Sequence, residues 1–384
     1  MSADKVEVVP LSDAKPPQVD KEKLIKFFMR SLFVIPNHYQ SQDPNRLTLL
    51  YFTISGLDIL GALDRVENKA RIVDWVYSLQ VLPSASDTET ESSQWGFRGS
   101  SFFGNAYDPS GKAPEKSCFM DDGHIAMTYS ALCILVILGD DLSRLNRKAI
   151  LGALRKLQTP DGSFSSTTDS ESDMRFLFCA CAISTFLNDW SGMDVEKARD
   201  YIVKAMGFDF AYGQSPFEES HGGSTYCAVA SLALMQRLGD LGFPPRGLKE
   251  AGGYVNASAE SAPPLTHQAQ GLLHWLIQRQ VSGFQGRINK PQDSCYSWWI
   301  GSSLQMLGYF DMVETVHLKG FILSCQHFAT GGFAKEPDHN PDALHTYFSL
   351  CGLAFVGTEG LDKPHCALGI SMRAARQLPH LQLQ

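Results

Sequence analysis

Ser224-Thr-Tyr-Cys-Ala-Val-Ala-Ser-Leu-Ala-Leu234 is apolar or small on nearly every side when wound as a helix. Such a segment must be buried among neighbours on all faces rather than laid on a surface. A polar lead-in followed by the same kind of helix stands at His124-Ile-Ala-Met-Thr-Tyr129, Asp173-Met-Arg-Phe176, Ser294-Cys-Tyr-Ser297 and His345-Thr-Tyr-Phe348. The starts at 124, 173, 224, 294 and 345 step by 49, 51, 70 and 51 residues. The long step holds a Gly/Pro/Ser-rich insertion at 239–266, so the underlying period is about fifty. A second motif alternates with the first: a Gln, a short turn, then Gly-Phe or its like. It reads Gln80 with Gly96-Phe97, Gln158 with Gly162-Ser-Phe164, Gln280 with Gly283-Phe284, and Gln326 with Gly332-Phe333. Period-two strand patterns are rare.

Fifty residues holding two helices and a turn make a helical hairpin. Hairpins closing on themselves give an all-α fold, an α/α toroid, with inner helices around a cavity and outer helices as a shell. The lead-ins of successive inner helices then lie around one rim. That arrangement brings His124, Arg175, His221, Asp293, Cys295 and His345 to one mouth, although they are far apart in sequence.

The 384 residues are 44% hydrophobic with a formal net charge of −8, and the mean hydropathy is −0.13. This describes a soluble chain with a large core. No block of Lys and Arg marks a nucleic-acid footprint. Residues 1–20, with Pro10, Pro16, Pro17 and mixed charge, read as a disordered tail without a signal peptide. Residues 21–384 read as a single domain, interrupted by a polar loop at 84–94 and the insertion at 239–266. The most apolar run, Ile125 to Leu138, is too short to span a bilayer. Nine cysteines, mostly inside apolar runs, point to free thiols in a reducing, cytoplasmic setting.

The chemistry concentrates in Arg287-Ile-Asn-Lys-Pro-Gln-Asp-Ser-Cys-Tyr296. Asp293 and Cys295 are two apart at a helix start, and the next repeat supplies His345. Three protein ligands leaving one position open describe a catalytic zinc, and thiolate with imidazole suits zinc better than magnesium. The plain alternative is that Asp293 or Ser294 caps the helix and Cys295 is one more buried thiol. Arg287 and Lys290 lie just upstream, and His221-Gly222-Gly223 opens the preceding inner helix. Cations beside a helix N-terminus suit a diphosphate, although surface charge is the usual fate of such residues. Aromatic residues at inner-helix positions (Tyr129, Phe176, Phe178, Tyr226, Trp298, Trp299, Tyr347, Phe348) are ordinary core or the wall of a cavity that takes a long hydrocarbon. The pairs Asp121-Asp122 and Asp140-Asp141 lack the further carboxylate of a terpene-cyclase metal motif. Zinc, diphosphate and an apolar cavity together specify transfer of a prenyl group to a zinc-activated thiol.

The chain resembles protein prenyltransferase β subunits, and among them those of geranylgeranyltransferase type I. The likeness runs from about Lys21 to the C-terminal region. It rests on Gly96-Phe-Arg-Gly-Ser-Ser101, Gly123-His-Ile-Ala-Met-Thr-Tyr129, Leu138-Gly-Asp-Asp-Leu-Ser-Arg144, Asp173-Met-Arg-Phe176, Ser220-His-Gly-Gly-Ser-Thr225, Asn289-Lys-Pro-Gln-Asp-Ser-Cys-Tyr-Ser297 and Pro341-Asp-Ala-Leu-His-Thr-Tyr-Phe348. The resemblance implies an α6–α6 barrel, one zinc ion on Asp293, Cys295 and His345, and diphosphate contacts from His221, Arg287, Lys290 and Tyr296. It implies a helical α subunit as obligatory partner, geranylgeranyl diphosphate as donor, and acceptors ending in CaaX with X mostly Leu or Phe, such as Rho/Rac-type small GTPases. Thr48 stands where farnesyltransferases carry a Trp at the cavity floor; Thr48, Phe52 and Phe348 would form the prenyl-chain pocket. Lys335 replaces the Asp that places magnesium in farnesyltransferases, which implies that magnesium is not required. His124, Ala126, Phe176 and Leu344 would line the pocket for residue X. The neighbouring alternatives are the farnesyltransferase and Rab-type geranylgeranyltransferase β subunits. A non-catalytic toroid binding a lipidated peptide is the alternative of another class.

Overall fold

The structure is a computed structural model. It describes residues 18–83, 92–102, 104, 121–243 and 264–378, with the backbone alone at 248–249 and 253–254. Most of the N-terminal tail, the loop at 84–94 and the insertion at 239–266 lies outside the described residues.

Among the described residues twelve helices alternate: Lys21–Phe33 (α1), Arg46–Ile59 (α2), Lys69–Ser78 (α3), Ile125–Leu138 (α4), Arg147–Leu157 (α5), Met174–Leu187 (α6), Val195–Lys204 (α7), Gly222–Leu234 (α8), His267–Ile277 (α9), Tyr296–Leu307 (α10), Thr315–Ser324 (α11) and Ala343–Phe355 (α12). A short helix, Met372–Ala375 (α13), follows. The even-numbered helices form a closed ring: each packs on the next, and α12 returns to α2. In α4 every residue except Ala126 and Leu138 is buried, as a helix surrounded by protein requires. The odd-numbered helices form the shell; α5 buries its Ala149–Leu154 stretch and Leu157 and leaves Arg155 and Lys156 in the outer last turn.

The expected toroid is present, with one addition. The recurring motif marks five inner helices, and the sixth is α2. Its lead-in, Asn45, makes no side-chain capping bond, unlike His124, Asp173, His221 and Asp342, each of which accepts a backbone N–H at the start of its helix. Two starts also shift: α8 begins at Gly222 and α12 at Ala343, so Ser224 and His345 lie inside the first turns.

The Gln…Gly-Phe motif brings Gln and Phe into antiparallel pairing: Gln158 with Phe164, Gln280 with Phe284 and Gln326 with Phe333 each close a short turn, and Gln80 pairs with Phe97 from farther along the chain. Met206 with Tyr212 is a fifth copy that lacks the Gln. Hydroxyls in the inner helices hold these turns: Thr128, Thr225 and Thr346 accept the backbone N–H of Phe97, Tyr212 and Phe333 at 3.0, 3.1 and 2.9 Å. All turns of this kind sit on the N-terminal side of the inner helices, and that side is the mouth.

Just inside the mouth an aromatic belt runs around the ring. Ring centroids lie 5.7 Å apart for Tyr51–Tyr129, 5.4 Å for Tyr129–Phe178 and Phe178–Tyr226, 5.1 Å for Tyr226–Trp299, 4.7 Å for Trp299–Phe348 and 5.5 Å for Phe348–Phe52. Edge-to-face pairs of this kind contribute about 0.5–1.5 kcal/mol each beyond burial.

From the opposite end a C-terminal hairpin enters the ring. Pro364 pairs with Ser371 and His365 with Ile370, and the turn Cys366–Gly369 is buried. Tyr226 donates to the Cys366 carbonyl at 2.9 Å, Tyr129 to Leu368 at 2.9 Å, and Tyr51 and Tyr347 both to Gly369 at 2.5 and 2.8 Å. Below it, Asp58 accepts from Ser371 at 2.6 Å and from Arg373 at 2.7 Å. No helix among the described residues is long and apolar enough to cross a membrane.

Candidate metal centre and cationic mouth

Asp293, Cys295 and His345 converge at the mouth between α10 and α12, with ligand atoms within 4.8 Å of one another. Cys295 is buried, and the side chains of Asp293 and His345 are 13% and 17% exposed. Three backbone anchors set the loop before α10. Asp293 N–H donates to the Phe284 carbonyl at 3.0 Å, Ser294 N–H to Lys335 at 2.8 Å, and the Ser294 hydroxyl to Ala334 at 2.7 Å. The ligand-bearing loop is thereby stitched to the next repeat, which delivers His345.

One carboxylate, one thiol and one imidazole fit a borderline divalent ion with an open position. His345 is oriented from behind: its Nδ1 lies 2.6 Å from Asp342 Oδ2, leaving Nε2 facing Asp293 Oδ1 at 3.4 Å. A carboxylate behind a metal-facing imidazole fixes its tautomer and ring angle. Burial opposes the charge on His345, but Asp293 and Asp342 outweigh it and raise its pKa to about 9. Burial, then Asp293, pushes the Cys295 thiol up. Among the described residues this is the one cluster of its kind.

The anion side is on α8 and α10. His221 caps α8, its Nδ1 accepting the Gly223 N–H at 3.0 Å, while its Nε2 is 2.8 Å from the Tyr296 hydroxyl. An accepting Nδ1 assigns the proton of the neutral ring to Nε2. That proton goes to Tyr296, which leaves the phenol's own hydrogen free for an anion. Burial, reinforced by Arg287, holds His221 below the usual histidine range. Gly286 lies under the Tyr296 ring, where a Cβ would come within 2.1 Å of it. Arg287 is paired with Glu219 at 2.5 Å. Lys290 and Lys335 are exposed on the same rim, without an ion pair among the described residues.

Thr48, Phe52 and Phe348 share one wall. Thr48 Oγ1 meets Met127 Sδ at 3.3 Å, and Phe52 follows one turn later against Phe348. Thr48 therefore stands in the mouth-side first turn of α2, one turn before Phe52. Across the ring, His124 packs edge-on against Phe176 at 5.8 Å, and Arg175 lies over the same ring at 5.0 Å while paired with Asp173 at 2.6 Å. Ala126 and Leu344 are half-buried in the first turns of α4 and α12.

Asp342 and Glu219 escaped the reading of the sequence. An Asp three residues before a histidine at a helix start would have signalled the first; nothing local signals the second.

The family profile of the prenyltransferase alpha-alpha toroid domain matches residues 19–370. The chain belongs to that family. This prenyltransferase toroid is 42% identical to the geranylgeranyl transferase type-1 subunit beta of Dictyostelium discoideum, over 93% of the chain and 96% of the relative. It is 37% identical to the protein of the same name from Arabidopsis thaliana, over 95% and 92%. Among solved structures, Candida albicans protein geranylgeranyltransferase-I complexed with GGPP superposes on the toroid with a TM-score of 0.77 at 23% identity, covering 94% of this chain and 99% of that one. The last likeness speaks for the fold.

Proposed function

We propose that this toroid is the catalytic β subunit of a protein geranylgeranyltransferase type I, working in the cytoplasm with a helical α subunit. It transfers geranylgeranyl from its diphosphate to the cysteine of a C-terminal CaaX sequence ending mostly in Leu or Phe. The observation that carries the reading is the Asp293–Cys295–His345 cluster, set on one rim between a cationic patch and an aromatic belt. The near full-length identity to two proteins named type-1 β subunits supports the choice within the family.

Asp293, Cys295 and His345 hold zinc, which supplies a deprotonated, nucleophilic substrate thiol near neutral pH. Asp342 keeps the His345 ring turned to the site. His221, Tyr296, Arg287, Lys290 and Lys335 bind the diphosphate and take up the charge that develops on it. The sulfur–carbon bond forms at C1 of the allylic chain, the C1–oxygen bond breaks, and its electron pair leaves with the diphosphate; the thiol proton goes to solvent. Lys335 supplies a fixed positive charge where a magnesium ion would otherwise be needed. Thr48, Phe52 and Phe348 form the pocket for the chain, with room at Thr48 where an indole would close it. His124, Ala126, Phe176 and Leu344 receive residue X, and Arg175 is the cation nearest that pocket.

The test is reconstitution with candidate α subunits, then transfer assays with farnesyl and geranylgeranyl diphosphate against peptides ending in Leu, Phe, Ser or Met. The expected result is one zinc per heterodimer and a preference for geranylgeranyl with Leu or Phe. A preference for farnesyl and Met-ending peptides assigns the chain to farnesyltransferases. Transfer only to Rab proteins assigns it to the Rab-type enzymes, and a complex without zinc or transfer removes the catalytic reading.

A further inference from the structure

The turns at 158–164 and 206–212 are closed by equivalent pairings and have the same length, so Asp209 occupies the place of Asp161. The two carboxylates are used differently. Asp161 is consumed within its own turn: Oδ1 accepts the Thr159 hydroxyl at 2.5 Å, the Ser163 N–H at 3.0 Å and the Ser163 hydroxyl at 2.8 Å. The corresponding neighbours of Asp209 are Gly207 and Ala211, which carry no hydroxyl. Its carboxylate reaches out of the turn instead. Oδ1 accepts the Ser220 hydroxyl at 2.5 Å, and Oδ2 accepts the indole N–H of Trp275, on α9, at 2.9 Å.

Ser220 directly precedes His221, the cap of α8 whose Nε2 meets the Tyr296 hydroxyl. It is buried, and so is Arg279, which lies over the Trp275 ring at 4.8 Å and donates from Nε to the Trp275 carbonyl at 3.2 Å. The indole that holds Asp209 is thus itself fixed on its helix. Gly207 permits the grip: a Cβ there would lie 2.7 Å from the Ser220 hydroxyl and 2.8 Å from Asp209 Oδ1. Beyond Ser220, the His221 N–H donates to the Tyr212 carbonyl at 3.0 Å, and the Gly222 N–H to Gly286 at 2.7 Å. Those two bonds set where α8 starts, and Asp209 sets the residue that leads into it. An imidazole that must meet Tyr296 at hydrogen-bond distance tolerates little drift at that point.

We propose that Asp209, fastened by Trp275 and acting through Ser220, is a positioning residue that holds the His221–Tyr296 pair in register for the diphosphate. This rests on the prenyltransferase reading. Asp209 and Ser220 act through His221 in this scheme and do not themselves bind the anion.

The test is titration of the reconstituted heterodimer with the C20 prenyl diphosphate. Asp209→Ala and Ser220→Ala each raise the Kd about tenfold, the scale of one charge-assisted hydrogen bond. Asp209→Asn stays within about twofold of the wild type, because its amide donates to the Ser220 hydroxyl while its oxygen still accepts from Trp275. A clasp that only stabilised the loop would act whether or not His221 is present. In a His221→Ala background, therefore, Asp209→Ala and Ser220→Ala each add less than about twofold. Zinc content and heterodimer elution report folding, and if Asp209→Ala does not assemble, Ser220→Ala decides in both backgrounds. Unchanged binding in the single variants, an equal loss with and without His221, or an Asp209→Asn variant as weak as Asp209→Ala overturns the positioning role. A wild-type heterodimer that binds no prenyl diphosphate overturns the functional reading itself, which is a separate outcome.

Discussion

Asp342 holds His345 twice: one carboxylate oxygen accepts the His345 backbone N–H at 2.8 Å, and the other lies 2.6 Å from the ring Nδ1. The residue that caps α12 is therefore also the residue that aims the imidazole. Asp342→Asn keeps a cap but loses the charged partner. Zinc affinity, measured by competition with a chelator, falls about 10–100-fold, and Asp342→Ala adds about 1 kcal/mol of lost capping to global stability. Unchanged zinc affinity in Asp342→Asn would refute the aiming role.

Arg287 is already engaged by Glu219, whose side chain is 60% exposed. An incoming diphosphate has to take the guanidinium from that carboxylate. Since an exposed pair of this kind is worth at most about 1 kcal/mol, Glu219→Gln tightens prenyl diphosphate binding by up to about fivefold. Isothermal titration decides, and a weaker Kd shows that Glu219 supports the anion site rather than competing for it.

Thr48→Trp places an indole against Met127 and one turn above Phe52. Discrimination between C20 and C15 diphosphates shifts towards C15 by about tenfold or more. Competition between the two labelled donors reads this, and an unchanged ratio removes Thr48 from the chain wall.

Lys335→Asp replaces a fixed cation on the rim with a carboxylate. The single-turnover rate drops in the absence of magnesium and recovers as magnesium is added. A rate indifferent to magnesium in this variant would separate Lys335 from the diphosphate.

His365, in the C-terminal hairpin, is 4% exposed; its Nδ1 accepts the Leu368 N–H, and its Nε2 has no hydrogen-bond partner among the described residues. Burial lowers its pKa to about 4. The unfolded chain binds a proton near pH 6.5 that the folded chain refuses until about 4, so stability is lost as pH falls through that window, by about 3 kcal/mol in all. Denaturant unfolding of the heterodimer from pH 7.5 to 4.5 shows a steeper loss in the wild type than in His365→Leu; parallel slopes would refute the assignment.

The toroid was legible because its inner helices are apolar all round and recur at a fixed period, a signal that Ser224–Leu234 carries alone. The metal cluster was legible for the same reason: once the repeats are in register, Asp293 and Cys295 in one and His345 in the next must meet. What stayed hidden depends on contacts across the ring. α2 lies outside the series of lead-ins that begins at His124, so the repeat does not mark the helix that closes the circle. The hairpin at 364–371 contains no motif, and its role comes from tyrosines up to 318 residues away.

That separation has a consequence for how the chain is made. Tyr51 is synthesised early and finds the Gly369 carbonyl only at the end, and α2 likewise waits for α12. Until then the growing chain is an open arc of helices, with apolar flanks exposed at both ends and tyrosine hydroxyls that lack their acceptors. Domains dominated by such long-range contacts fold slowly and are prone to associate before completion. Closure of the circle by α12 and the 364–371 hairpin is the step that covers those flanks.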